Sequence, residues 1–169
     1  MMETRHTSVP GVIMGSVLLF FCQQALAGEY SDIIDEEYLR SQFTYAAGDK
    51  LKYSQCKKKT YPTCTYIWGA ESKQDAARTK YGLTPGGNKL QVIYAPAKSK
   101  KDFERVLATY KDAEKIDGLA AEAAWSNKRK QLSMITDKNL IIHINVEDKG
   151  PSDAREKATI IAHDILKKL

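Results

Sequence analysis

The sequence predicts an α+β domain in which an antiparallel sheet carries helices packed on one face. Two observations predict it: short β-branched or aromatic runs gather in two clusters, and single helices precede, separate and follow those clusters. A third observation bounds the fold to a single domain: the chain of 169 residues shows neither an internal repeat nor a low-complexity segment.

The elements follow in order. From Ile34, apolar residues recur at helical spacing through Tyr38, Leu39, Phe43, Ala46 and Ala47. Asp35 suits the N-cap, and Gly48 closes the segment. Leu51 to Cys56 and Cys64 to Gly69 then flank Lys57 to Thr63, where Pro62 marks a turn, so a hairpin is expected. Glu71 to Tyr81 is polar with a weak helical tendency, and Pro85-Gly86-Gly87-Asn88 is a turn leading into a strand over Lys89 to Tyr94. Ser99 and Asp102 have capping-box spacing, and Phe103, Val106, Leu107 and Tyr110 form one face of a second helix expected to end near Ile116. Ala123 to Ser126, Gln131 to Thr136 and Leu140 to Val146 read as antiparallel strands, with a turn around Asp137-Lys138-Asn139. Pro151 and Ser152 start the last helix, whose buried stripe is Ala154, Ala158, Ile161, Ala162, Ile165 and Leu169.

The N-terminus has the order of an export signal. Arg5 and His6 precede the uncharged apolar run Gly11 to Phe21, a polar break at Cys22-Gln23-Gln24 follows, and Ala25-Leu26-Ala27 is a small-x-small cleavage site. The run is shorter than the roughly 20 apolar residues a spanning helix needs. Residues 1–27 are therefore expected to be a signal peptide, and 28–169 a single exported domain, periplasmic or secreted, with no transmembrane segment in the mature form. Phe20 and Phe21 argue against lipid attachment at Cys22, because the residue before a lipid-modified cysteine must be small.

Cleavage after Ala27 removes Cys22 and leaves Cys56 and Cys64, an even pair in an oxidising compartment, for which a structural disulfide is expected. The loop is short, so the chain-entropy model assigns it about 2 to 3 kcal/mol. A redox pair would have the tighter C-x-x-C spacing, and zinc would need further Cys or His ligands nearby. The net charge of +5 suits loose association with anionic surfaces, but no domain-wide basic stripe points to nucleic acid.

Cys64-Thr65-Tyr66, Phe103, Tyr110, Gly118-Leu119, Ala124-Trp125 and the last strand-helix unit together carry a resemblance. The pattern resembles small secreted or lipid-anchored bacterial proteins of unknown function with a PsbP-like α/β sandwich fold. It spans about two thirds of the mature chain, with Ala120 standing where a second glycine is usual and Ala124 where an aromatic is common. The resemblance implies an exported, non-catalytic role and transfers no active site.

Candidate functional residues are few. Lys57, Lys58 and Lys59, with Tyr61 beside them at a hairpin tip, could meet phosphate-rich lipids or an acidic protein. Tyr66 and Trp68 alternate with Thr65 and Ile67, so both lie on one face: core if helices cover it, and a shared binding surface with His143 if it is open. Lys98, Lys100 and Lys101 form a second basic cluster at a helix start, where positive charge opposes the dipole. His163 is expected at the edge of the last helix's apolar stripe. The carboxylates Asp35, Glu36, Glu37, Glu122, Glu147 and Asp148 lie at helix starts or near turns, where capping and solubility explain them. Pro85-Gly86-Gly87-Asn88 lacks phosphate-loop spacing. No catalytic residue, metal site or cofactor is therefore expected. The expected function is that of a non-enzymatic binding or accessory protein of the bacterial cell envelope, whose partner is an envelope protein or an anionic envelope component. The alternative is an inhibitor or immunity protein against an exported enzyme or toxin.

Overall fold

The computed structural model describes residue 30 and residues 33–58, 60–149 and 153–169. The predicted signal peptide over 1–27, Lys59, and the predicted helix start at Pro151 and Ser152 lie outside the described residues.

Asp35 caps α1 (Glu36–Gln42), its carboxylate accepting from the Tyr38 N–H at 2.7 Å. The helix ends at Phe43, short of the predicted stop at Gly48. Tertiary packing sets that end: Phe43 and Tyr45 leave the helix and lay their rings against Trp68, with centroids 4.6 Å and 6.0 Å away. The hairpin forms as expected from β1 (Lys50–Lys58) and β2 (Pro62–Gly69). Cys56 stands opposite Cys64 in the register, and a disulfide joins them. Pro62 is the first residue of β2, a place where a strand tolerates proline.

Next come α2 (Lys73–Lys80), with a capping box between Ser72 and Asp75, and β3 (Asn88–Pro96). The Asp102 carboxylate accepts the Lys98 and Ser99 N–H groups at the start of α3 (Lys100–Ala108). This helix also stops early, at Ala108 rather than near Ile116. Thr109 turns its hydroxyl onto the Val106 carbonyl, and Tyr110 is held by hydrogen bonds to β6. The residues beyond enter the short strand β4 (Ala113–Lys115). Then follow β5 (Glu122–Ser126), β6 (Gln131–Ile135), β7 (Leu140–Glu147) and α4 (Ala154–Lys168), with Asp153 as the N-cap.

The seven strands among the described residues form one antiparallel sheet in the order β1-β2-β3-β7-β6-β5-β4. One face carries Tyr66, Trp68, Val92, Met134 and Ile144, which α1 and α4 cover to make the main core. Ile161, Ala162 and Ile165 of α4 are buried there, as their spacing predicts. On the opposite face α3 covers only one corner, burying Phe103 against Ala95, Ile135 and Ile141. The rest of that face, over β1, β2 and β3, carries mostly polar side chains, with Ile67 and Ile93 among them.

One glycine fixes how β3 begins. Gly87 has φ +142°, and a Cβ there would collide with the Trp68 carbonyl, so only glycine lets this turn lie against the end of β2.

Candidate functional site

The open face holds a groove of about 580 Å³ between β1–β3 and the segment Arg78 to Gly87. Its floor comes from alternate residues of three strands: Gln55 of β1, Thr65 of β2 and Gln91 of β3 are cross-strand neighbours. Gln91 Nε2 donates to Thr65 Oγ1 at 3.1 Å, and the Tyr53 hydroxyl donates to Gln55 Oε1 at 2.6 Å. The floor is thus uncharged and rich in both donors and acceptors.

The wall is held by a buried ion pair. Lys52 Nζ lies 2.9 Å from Asp75 Oδ2 and 3.0 Å from the Ala70 carbonyl, while Asp75 Oδ1 accepts the Gly86 N–H at 2.8 Å. The two side chains are 5% and 10% exposed. The Lys52 ammonium, with the Gly86 amide behind it, holds the Asp75 carboxyl well below the usual carboxylate range. One carboxylate therefore ties β1, α2 and the turn before β3 together.

Charge on the groove is positive. Lys57 and Arg78 line it, and neither has a carboxylate within ion-pair distance among the described residues. Arg78 spends its Nε on the Thr84 carbonyl, 2.7 Å away. Lys89 is neutralised by Glu147.

The row of floor residues continues beyond the groove. Gln91 is opposite Asn145 of β7, which is opposite Gln131 of β6, and Asn145 Nδ2 donates to Gln131 Oε1 at 3.2 Å. Gln131 Nε2 then faces the Tyr110 hydroxyl at 2.5 Å and His143 Nδ1 at 3.0 Å. His143 Nδ1 is thus within hydrogen-bond distance of both Gln131 Nε2 and Ser133 Oγ. Burial, aided by the nearby Arg129 charge, pushes the His143 pKa down to about 4. Arg129 itself is exposed and lies 4.3 Å over the Tyr110 ring.

Ser133 Oγ is 2.8 Å from His143 Nδ1, the spacing of a nucleophile and its base. Ser133 is nevertheless fully buried, and among the described residues no carboxylate hydrogen-bonds to His143. Four of the six carboxylates noted in the sequence are engaged as caps or ion pairs: Asp35 caps α1, Glu36 pairs with Arg40, Glu122 with Lys100 and Glu147 with Lys89. Glu122 thus supplies an internal anion to the second lysine cluster. Among the described residues no three His, Cys, Asp or Glu side chains converge as metal ligands. His163 is exposed on α4.

The structure separates the sequence-predicted surface residues. Tyr66 and Trp68 are 1% and 0% exposed in the helix-covered core, so they share no surface with His143, which lies on the opposite face. Their alternation shows that they share a face but not which face the helices take. Lys57 reaches the groove, and Tyr61 stands exposed at the hairpin tip. The Lys58 side chain and Lys59 lie outside the described residues. Sequence reading passed over Gln55, Thr65, Gln91, Asn145 and Gln131, because their common row exists only once the register is known. The one sequence signal for them is polar residues at alternate positions in strands with apolar neighbours.

No helix among the described residues is long and apolar enough to cross a membrane. Compared with family models, with curated proteins and with solved structures, the chain matches none.

Proposed function

We propose that the protein is an exported, non-enzymatic binding protein of the bacterial cell envelope, and that the open-face groove takes its anionic ligand. The observation that carries this reading is the pair of unneutralised cations, Lys57 and Arg78, beside a floor of amide and hydroxyl groups. Such a floor orients a polar ligand by hydrogen bonds, while the cations favour negative charge and speed encounter. The leader-like N-terminus and the Cys56–Cys64 disulfide support an oxidising destination. The resemblance to PsbP-like secreted proteins implies an exported, non-catalytic role.

A photo-crosslinking residue at Leu83, which lines the groove and is exposed, tests the proposal when activated in living cells, with captured molecules identified by mass spectrometry. One dominant species, absent when Arg78→Ala is added, is the expected result; no capture above that from a site on the exposed face of α4 would sink it. The inhibitor reading draws on a different feature, Tyr61, which is 45% exposed at the tip of a hairpin stapled by the disulfide. An aromatic wedge of that kind suits docking to a protein surface. Capture of an exported enzyme at Tyr61 and not at Leu83 would favour it.

A further inference from the structure

The groove is one end of a longer feature. Gln55, Thr65, Gln91, Asn145 and Gln131 stand in one register row across β1, β2, β3, β7 and β6, all on the face that α1 and α4 leave uncovered. Strands lie about 4.8 Å apart, so the row spans roughly 19 Å. Asn145 Nδ2 and Gln131 Nε2 are spent on the Arg129 carbonyl, Gln131 Oε1, Tyr110 and His143, so the donors left to a ligand are those of Gln55 and Gln91, and β7 and β6 add acceptor oxygens. Cations stand at both ends, Lys57 and Arg78 beyond β1–β2 and Arg129 over Tyr110 beyond β6.

We infer that this row binds an acidic glycan strand, lying across the sheet strands, with its sugar hydroxyls on the amides and its carboxylates on the terminal cations. The inference rests on the groove reading above and names its ligand class. Amide and hydroxyl side chains donate and accept at the same point, which matches the paired donor and acceptor character of each sugar hydroxyl. A peptide would instead require apolar pockets for anchoring side chains, and the floor offers only Ile67, a side chain 4% exposed. A lipid surface would require a contiguous apolar patch, whereas the exposed large apolar side chain lining the groove is Leu83 alone. Negative charge is called for because the cations at the two ends have no carboxylate partner among the described residues.

Titration calorimetry on the protein produced from its full-length sequence tests this with three probes. They are a hyaluronan hexasaccharide, an uncharged N-acetylglucosamine hexasaccharide, and an aspartate peptide of the same charge as the first. The expected result is binding of hyaluronan at least tenfold tighter than either other probe. It should weaken at least tenfold in a Gln55→Ala, Gln91→Ala variant whose thermal melt is unchanged, and severalfold in Arg129→Ala, with a smaller salt dependence. Equal binding of the aspartate peptide, or indifference to the two glutamine changes, overturns the glycan assignment while leaving an anion-binding groove. If no probe binds, the glycan assignment falls. Crosslinking at Leu83 then separates the two readings, since persisting capture preserves the groove as a binding site and lost capture removes that as well.

Discussion

His143 shows how a single side chain carries a pH signature through its surroundings. Its folded pKa of about 4 lies below the ordinary histidine value, so the unfolded chain binds the extra proton between the two. Stability from this residue is complete above about pH 6.5 and is lost as pH falls toward 4. Between pH 7 and pH 5 urea unfolding should report a loss of about 2 kcal/mol that a His143→Gln variant largely lacks. Ala120 is the second informative residue. It has φ +56°, a left-handed conformation. An L-residue there costs about 1 to 2 kcal/mol, and glycine gives back about half of that in chain entropy. Ala120→Gly should therefore raise stability by about 0.5 to 1 kcal/mol in the same assay. The strain is not visible in the sequence, since alanine by itself announces nothing about φ.

Among the elements, the β1–β2 hairpin was legible because paired cysteines, β-branched runs and a turn residue all point to it. Replacing Cys56 and Cys64 by alanine should lower stability by about 2.5 kcal/mol, as expected for a bridge spanning a sequence separation of 8. Chemical denaturation under non-reducing conditions would measure it. Helix ends were less legible than helix starts. Asp35 and the Ser99-Asp102 pair act locally and so are written in adjacent residues, whereas α1 and α3 end where Phe43 and Tyr110 find partners on distant strands. The groove wall has the same character. Asp75 occupies a capping-box position readable from sequence, but its bonds to Lys52 and Gly86 are tertiary. Its carboxyl is depressed in the folded state, so its contribution is present above the ordinary carboxylate range and is lost as pH falls through the folded value. Asp75→Asn should have the lower urea midpoint at pH 7, and the two proteins should converge in strong acid.

For the molecule as a whole, strand clusters and helix order were enough to predict an antiparallel sheet, but not the strand order. That order puts β3 and β7 at the centre, where they pair over residues 89–96 and 140–147. The amide row depends on this pairing, which is why no site residue beyond Lys57 was apparent from the chain alone. Central strands are shielded on both edges, so amide hydrogens of Leu90, Val92, Ile142 and Ile144 should exchange slowest, through global unfolding only. Exchange of β4, a three-residue edge strand, should be faster by orders of magnitude under native conditions. The central seam also orders events in time. β1 to β3 form one meander of near neighbours and β4 to β7 another, and each can assemble from short-range closures. Joining them requires the ends of residues 97–139 to meet, the slow closure in such a topology. During synthesis the first meander leaves the ribosome with the β3 edge bare, and it stays bare until the C-terminal strand arrives. A chain truncated before Leu140 would keep that edge permanently, and would be expected to self-associate through it.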